Sequence, residues 1–417
     1  MTLRANQLGA LSDALAAVLP LTEPADAVLH RFFRSHSQLG QRDRAFIADG
    51  VFATLRRLRS LTAQAGTAAP RQLAIAVTLR ELGLSLRQVD GALSLDEHAW
   101  VARFRSNKPA LSAAEAADLP DWLWDKLGAA LPPAERDALA LASLSPAPLD
   151  LRVNPLTMQR DAALAALAAS GITAERTPYS PLGLRVAGRP ALQHHALFTS
   201  GAIEVQDEGS QLLGYLVAPR RTDMVVDFCA GAGGKTLLLG ALMRSQGRVY
   251  AFDVSRRRLA RLKPRLARSG LSNVHPVLIA NERDQHVKRL DGKIDRVLVD
   301  APCSGLGTLR RNPDLKWRQS PATIAELAAK QARILAAAAT LVKPGGRIVY
   351  ATCSVLPEEN EVIVDGFLAA NTQFALRDAA AELARAGIAL DTGAMLRLSP
   401  HRHGCDGFFA AVLERAP

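Results

Sequence analysis

Apolar positions along the chain change their spacing at two places. From Met1 to about Ala147 they recur at helical intervals: Ile47, Val51, Leu55 and Leu58 fall at i, i+4, i+8 and i+11, one face of a helix. Turns at Pro24, Pro70 and Pro132-Pro133 divide this stretch, and the pattern predicts an all-helical domain over residues 1–147. Ser143-Leu-Ser-Pro-Ala-Pro148 then reads as a linker, and Leu149–Asn154 alternates as a strand does. An Ala/Leu-rich helix from Asp161 to Ser170, stopped by Gly171, and strand-like pieces at Gly183–Val186 and Ala202–Val205 predict a small α+β module over 148–220. Asp207 stands as N-cap for a helix carrying Leu212, Leu213 and Leu216.

Over 221–417 strands and helices alternate, which predicts an α/β fold with a parallel sheet. Strands are expected at Met224–Asp227, Arg248–Asp253, His275–Ala280, Ile294–Asp300 and Arg347–Ala351. A long helix from about Pro321 to Val342 ends at Lys343-Pro-Gly-Gly346, and Met395–Leu398 with Gly407–Leu413 suits a terminal hairpin. Glycines in Ala230-Gly-Ala-Gly-Gly-Lys235-Thr236 follow the first strand and open a helix, so a ligand can approach the backbone and the helix amides. The glycine-to-lysine spacing is too short for a phosphate-binding loop of a nucleoside triphosphatase. Asp253, closing the second strand, is placed to hold ribose hydroxyls.

Length and charge narrow the class. A chain of 417 residues implies two or three domains, and lysine plus arginine exceed aspartate plus glutamate by 51 − 40 = 11. A polyanion, most simply nucleic acid, is the expected partner. No leader or spanning segment is evident, so the expected location is cytoplasmic, without a membrane partner. Cys229, Cys303, Cys353 and Cys405 lie far apart with no Cys-x-x-Cys pair, which fits free thiols. His401-x-His403-x-Cys405 has no fourth ligand at suitable spacing, so no metal is expected.

The chemistry concentrates at Asp300-Ala-Pro-Cys303 and Thr352-Cys353-Ser354, each following a buried strand. Taken alone, Asp300 could cap a turn and Cys303 could be a small buried hydrophobe. Two thiols on one sheet edge beside a cofactor loop suggest more. A thiolate attacking carbon 6 of cytosine makes carbon 5 nucleophilic toward a methyl donor; an acid such as Asp300 assists at the ring nitrogen, and a base then removes the carbon 5 proton. The base must leave its stack to reach such a pocket.

Three motifs, Asp227-x-Cys229-Ala-x-x-Gly-Gly-Lys-Thr236, Asp295-Arg-Val-Leu-Val-Asp300-Ala-Pro-Cys303-Ser-Gly305 and Thr352-Cys353-Ser354-x-x-Pro-Glu-Glu-Asn360, occur in this order. Together they resemble the Sun/Fmu (RsmB-type) family of S-adenosylmethionine-dependent RNA cytosine-C5 methyltransferases. The resemblance implies a Rossmann-like catalytic domain over 221–417, a NusB-like RNA-binding domain over 1–147 and the family's middle domain over 148–220. It implies S-adenosyl-L-methionine as cofactor and 16S ribosomal RNA as substrate; a monomer is expected. By the same resemblance Cys353 is the nucleophile and Cys303 assists product release. Cys229, Ala230, Gly231, Ala232, Gly233, Gly234 and Lys235 wrap the methionine part of the cofactor, Asp253 holds the ribose, Asn281 contacts the adenine, and Asp300 lies near both sulfonium and base. Two positions depart from the family's pattern. Ala232 stands where a proline is usual, so a flexible turn replaces a stiff one, with weaker cofactor binding as the expected cost. Asn281 stands where an acid is common, with Asp284 nearby.

Arg310, Arg311, Lys316 and Arg318 are expected to grip phosphates beside the flipped base. Arg256, Arg257, Arg258, Arg261 and Arg265 read instead as a solvated helix face, as do the arginines of the first domain. The competing functions are a transfer RNA methyltransferase of the same chemistry, or a non-catalytic ribosomal RNA assembly factor.

Overall fold

The computed structural model describes residues 2–417. The chain forms two compact units, Met1–Pro146 with Thr308–Pro321, and Ala147–Gly307 with Ala322–Pro417. The small α+β module thus belongs to the same unit as the α/β region, and a stretch beyond Gly307 belongs to the helical one.

The helical unit is built on the apolar spacing noted above. Ile47, Val51 and Leu55 are fully buried on the helix Gln41–Arg56, and Leu58 begins the next helix after a break at Arg57. Local caps set several ends: Ser94 and Glu97 exchange hydrogen bonds at the start of Leu95–Ser106, with Ser94 N–H donating to Glu97 Oε2 at 2.8 Å. The last carbonyls of Gln41–Arg56 need donors that no helix supplies. Trp317 Nε1 donates to Leu55 O at 2.7 Å and Lys316 Nζ to Arg56 O at 2.9 Å. Arg56 in turn donates to Arg310 O at 2.8 Å. Lys316 is 2% exposed and Arg310 8%, so the expected phosphate grip is corrected for both: the Lys316 side chain closes a helix end inside the helical unit, and the Arg310 side chain is buried there.

The second unit holds two sheets. Strands β1 (Leu149–Val153), β2 (Ala174–Arg176), β3 (Gly183–Val186) and β4 (Ile203–Val205) pair antiparallel in the order β2-β3-β1-β4. The larger sheet contains β5 (Met224–Asp227), β6 (Arg248–Asp253), β7 (Val274–Leu278), β8 (Ile294–Asp300), β9 (Val342–Thr352), β10 (Phe374–Arg377), β11 (Leu396–Leu398) and β12 (Phe408–Arg415). Its order is β10-β12-β9-β8-β5-β6-β7, parallel from β9 to β7, with β12 and β10 antiparallel at one edge and β11 on β12 as the expected hairpin. β9 begins earlier than Arg347, because Val342 pairs with Ile294 and the register shifts before Arg347 meets Arg296. Neither β2 nor β10 was marked by alternation in the sequence.

The central strands read as apolar runs because both faces are covered. Val297 and Val299 of β8 join a core with Ile334, Leu335 and Phe367, while Leu298 joins Leu216, Leu237 and Leu383 on the other face. Strand order reverses between β5 and β8, which opens a crevice at the carboxyl ends of the strands. Among the described residues, no helix is long and apolar enough to cross a membrane.

Burial holds Lys316 down to about 7, against the attraction of Asp118. A lysine lowered on folding stabilises fully above its unfolded value of 10.5, and that stability is lost as pH falls toward 7, because the unfolded chain takes the proton first. The helical unit is therefore expected to melt at lower temperature as pH drops from about 10 to 7, and Lys316→Met to flatten that dependence. Thermal melts across this pH range measure it.

Candidate active site

A cavity of about 440 Å³ sits at the strand-order reversal. Its walls include Asp227, Asp253 and Asp300 at the ends of β5, β6 and β8, with Cys303 and Cys353 just beyond β8 and β9. Of the residues expected to hold the cofactor, Cys229, Ala230, Gly231, Ala232, Gly234, Lys235, Asp253 and Asp300 line it. Gly233 lies behind the wall and Asn281 is not part of it. Asn281 is exposed and its side-chain oxygen accepts from the Arg283 amide at 2.8 Å, while Asp284 caps the helix Gln285–Lys288. That turn brings Glu282 to the wall instead, and Ile279 beside it. Asn281, expected at the adenine, thus turns away from the cavity, and these neighbours take its place on the wall.

The loop after β5 is shaped by three constraints. Gly233 has φ +84°, and a Cβ there would lie 2.1 Å from Leu262, so only glycine fits. The Gly231 amide donates to Asp253 Oδ2 at 2.8 Å, which ties the loop to the end of β6. Thr236 Oγ1 donates to Asp227 Oδ2 at 2.6 Å, while Asp227 Oδ1 is buried without a partner. Burial, reinforced by Asp300, raises Asp227 to about 7, with Thr236 opposing.

The small sheet holds this loop from outside. Arg265 donates to Ala232 O at 2.6 Å and pairs with Glu204 of β4 at 2.9 Å. Arg152 of β1 donates to Gly234 O at 2.6 Å and to Gln206. Arg152 is lowered to about 10 by burial, with Glu204 opposing, and remains charged. Ala232 thus sits in a turn whose carbonyls are tethered by two guanidiniums. Arg152 read only as part of the strand-like stretch Leu149–Asn154, and its distance in sequence from the loop, like that of Glu204, hid this role.

At the other end of the cavity wall, Lys235 Nζ donates to Asp300 Oδ2 at 2.7 Å. Burial disfavours the Lys235 ammonium, but Asp300 outweighs it and leaves the lysine above its ordinary value. Cys303 Sγ and Cys353 Sγ are 3.4 Å apart, and the Cys353 amide donates to Cys303 Sγ at 3.3 Å. The neighbouring Cys353 sulfur, then burial, push the Cys303 thiol well up. Burial and three nearby carboxylates also push Cys229 up, so it remains a thiol.

Both cysteine loops converge on Glu359, which is fully buried. Its carboxylate accepts from Ser304 N–H at 2.8 Å, Ser304 Oγ at 2.5 Å, Gln331 Nε2 at 2.9 Å and Ser354 Oγ. Asn360 adds a bond from its amide nitrogen to Ser354 O at 3.1 Å. Pro357-Glu-Glu-Asn360 leads into the helix Glu361–Ala370, and its contacts also make it a brace for the site. Gly307 completes the brace, since a Cβ there would lie 2.2 Å from Gly407 O.

Acids ending successive parallel strands, a tight glycine turn and a cavity of this size fit a nucleoside cofactor, and the buried unpartnered Asp227 oxygen leaves polar capacity at its wall. The class is an S-adenosylmethionine-dependent methyltransferase with a Rossmann-like fold. Residues 214–414 match the model of the 16S rRNA methyltransferase RsmB/F family, and 119–193 match the ferredoxin-like domain of RsmF/B-like methyltransferases. A probable ribosomal RNA small subunit methyltransferase B of Synechocystis sp. is 37% identical over 307 residues, 73% of this chain and 69% of the relative. The ribosomal RNA small subunit methyltransferase B of Sodalis glossinidius is 33% identical over 429 residues, covering 96% and 95%. A crystal structure described as PH0851 shares the fold with a TM-score of 0.82 at 24% identity, covering 100% of both chains. The chain belongs to the RsmB/F family of 16S rRNA methyltransferases, and is an enzyme that uses S-adenosylmethionine and acts on RNA.

Gly233→Ala is expected to weaken S-adenosylmethionine binding at least about tenfold, because the turn has to open; equilibrium binding of the cofactor measures it. Glu359→Gln substitutes an amide donor where four donors converge, and is expected to cost about 1–3 kcal/mol of stability. Thermal unfolding beside the parent reads that loss.

Proposed function

We propose that this enzyme methylates carbon 5 of a cytosine in 16S ribosomal RNA through a covalent adduct at carbon 6. The observation that carries the reading is the pair of thiols 3.4 Å apart on the same cavity wall as the Lys235–Asp300 pair. Exocyclic methylation has no use for a thiol, whereas carbon 5 of cytosine needs one.

Bound S-adenosylmethionine supplies an electrophilic methyl group on sulfur. Cys229–Lys235 and Asp253 hold the cofactor, and the apolar wall at Ile279 faces the adenine. The Cys353 thiolate forms a bond to carbon 6, and the ring electrons shift so that carbon 5 becomes the nucleophile. Asp300, taking a proton from the Lys235 ammonium it contacts, passes it to the ring nitrogen and so neutralises the charge that gathers there. Attack converts Cys353 to a neutral thioether, which removes the sulfur charge opposing ionisation of Cys303. Cys303 can then lose its proton to solvent and take the one from carbon 5; the electron pair of the broken C5–H bond reforms the C5–C6 double bond and expels the Cys353 thiolate. Two thiolates at this separation would repel, so the two sulfurs ionise in turn.

The helical domain, residues 1–147, serves as the NusB-like RNA-binding part, and the module over 148–220 positions the cofactor loop. A ribosomal RNA substrate places the reaction in the cytoplasm.

Cys353→Ala is expected to abolish methyl transfer, and Cys303→Ala to accumulate a covalent protein–RNA adduct. Transfer of labelled methyl groups to naked small-subunit ribosomal RNA, with transfer RNA in parallel, reads the first; denaturing gels read the second. 5-Methylcytosine in the ribosomal RNA alone supports the assignment. Label on an exocyclic nitrogen, or normal turnover by the Cys303 variant, would sink it.

A further inference from the structure

The helix Arg256–Ser269, directly after β6, contains no acidic residue and is built against its own electrostatics. Its buried stripe is Leu259 and Leu262, with Leu266 packed behind them. Arg256, Arg257 and Arg258 fill its first turn, where the aligned peptide dipoles disfavour positive charge. Arg257 and Arg261, and Arg261 and Arg265, are like charges four residues apart, a spacing that destabilises an isolated helix. Arg265 and Arg268 are occupied by Glu204, and Arg258 approaches Asp253 at 3.5 Å. Arg256, Arg257, Arg261 and Lys263 are exposed and form no ion pair among the described residues.

This unbalanced face begins at the cavity. Val254 and Arg258 line the wall, and Val254, though apolar, is 52% exposed. The reading from sequence alone, a solvated helix face, gives no reason for three cations to crowd an unfavourable helix end beside the reacting centre.

We propose that Arg256, Arg257, Arg261 and Lys263 form a docking surface for the phosphates of the RNA strand that delivers the target nucleotide. This rests on the reading of RNA as the substrate and adds where the strand runs. Each cation that meets a phosphate releases a counterion, so the surface contributes affinity without reading sequence. Its apolar neighbour Val254 offers a contact for a base or sugar at the mouth of the cavity.

The test replaces the four together, Arg256→Gln, Arg257→Gln, Arg261→Gln and Lys263→Gln, in the full chain. A control with equal charge loss replaces the exposed Arg220, Arg221, Arg244 and Arg248, which lie near the opposite ends of the strands. Binding of naked small-subunit ribosomal RNA, without cofactor, is followed across a salt titration. The helix variant is expected to bind roughly ten- to a hundredfold more weakly, with a log–log salt slope shallower by about 3 units for single-stranded contacts. The control should stay close to the parent. Cofactor affinity and melting temperature should not fall in the helix variant, which separates lost docking from lost folding. An unchanged slope, or an equal loss in the control, overturns the proposal. Products are identified in parallel: a helix-dependent slope without 5-methylcytosine would sink the cytosine chemistry and leave the docking surface standing.

Discussion

A single buried carboxylate ties together the two loops on which the site depends. Glu359 accepts hydrogen bonds from Ser304 and Ser354, each the residue next to a cysteine, and from Gln331 on the helix Pro321–Leu341. A carboxylate removed from water is costly unless its lone pairs are filled, and here donors from three segments fill them. The same bonds that compensate for its burial therefore fix the separation of the sulfurs. Positioning the two thiols and folding this corner of the sheet are one event.

The cofactor turn follows a similar logic from the other side. Its glycines give it the left-handed backbone it needs, but glycine also leaves a turn free to move. Arg265 and Arg152 restrain it by its carbonyls, and Glu204 restrains Arg265. The small antiparallel sheet thus acts as part of the catalytic unit, which explains why it shares one compact body with the large sheet. Charge is distributed unevenly around the same centre: acids end the strands inside the cavity, while cations gather on the helix Arg256–Ser269 at its mouth. A cationic cofactor and a polyanionic substrate favour that division.

The helical unit depends on residues far along the chain. Lys316 and Trp317 supply the donors that the end of Gln41–Arg56 lacks, so the stretch Thr308–Pro321 completes a helix it does not adjoin in sequence. Its basic residues looked suited to phosphates because they follow Cys303. For Lys316, a helix end in need of donors offers more than solvent does.

Much of the fold is legible in the sequence because it rests on local chemistry. Apolar runs ending in acids mark β5, β6 and β8, since strands buried on both faces need continuous hydrophobicity. The helix stripe at Ile47, Val51 and Leu55 follows from backbone period, and Asp207 caps its helix by a contact two residues away. The motifs carrying Asp300, Cys303 and Cys353 name the proposed reactive groups for the same reason: side-chain identity travels with the chain. What the tertiary structure alone decided depends on partners distant in sequence. The brace by Glu359, the tethers from Arg152 and Arg265, the turning away of Asn281 and the burial of Lys316 all arise when segments meet. A charge has no fixed role until its neighbours and its access to water are set, so sequence could name these residues without saying what each of them does.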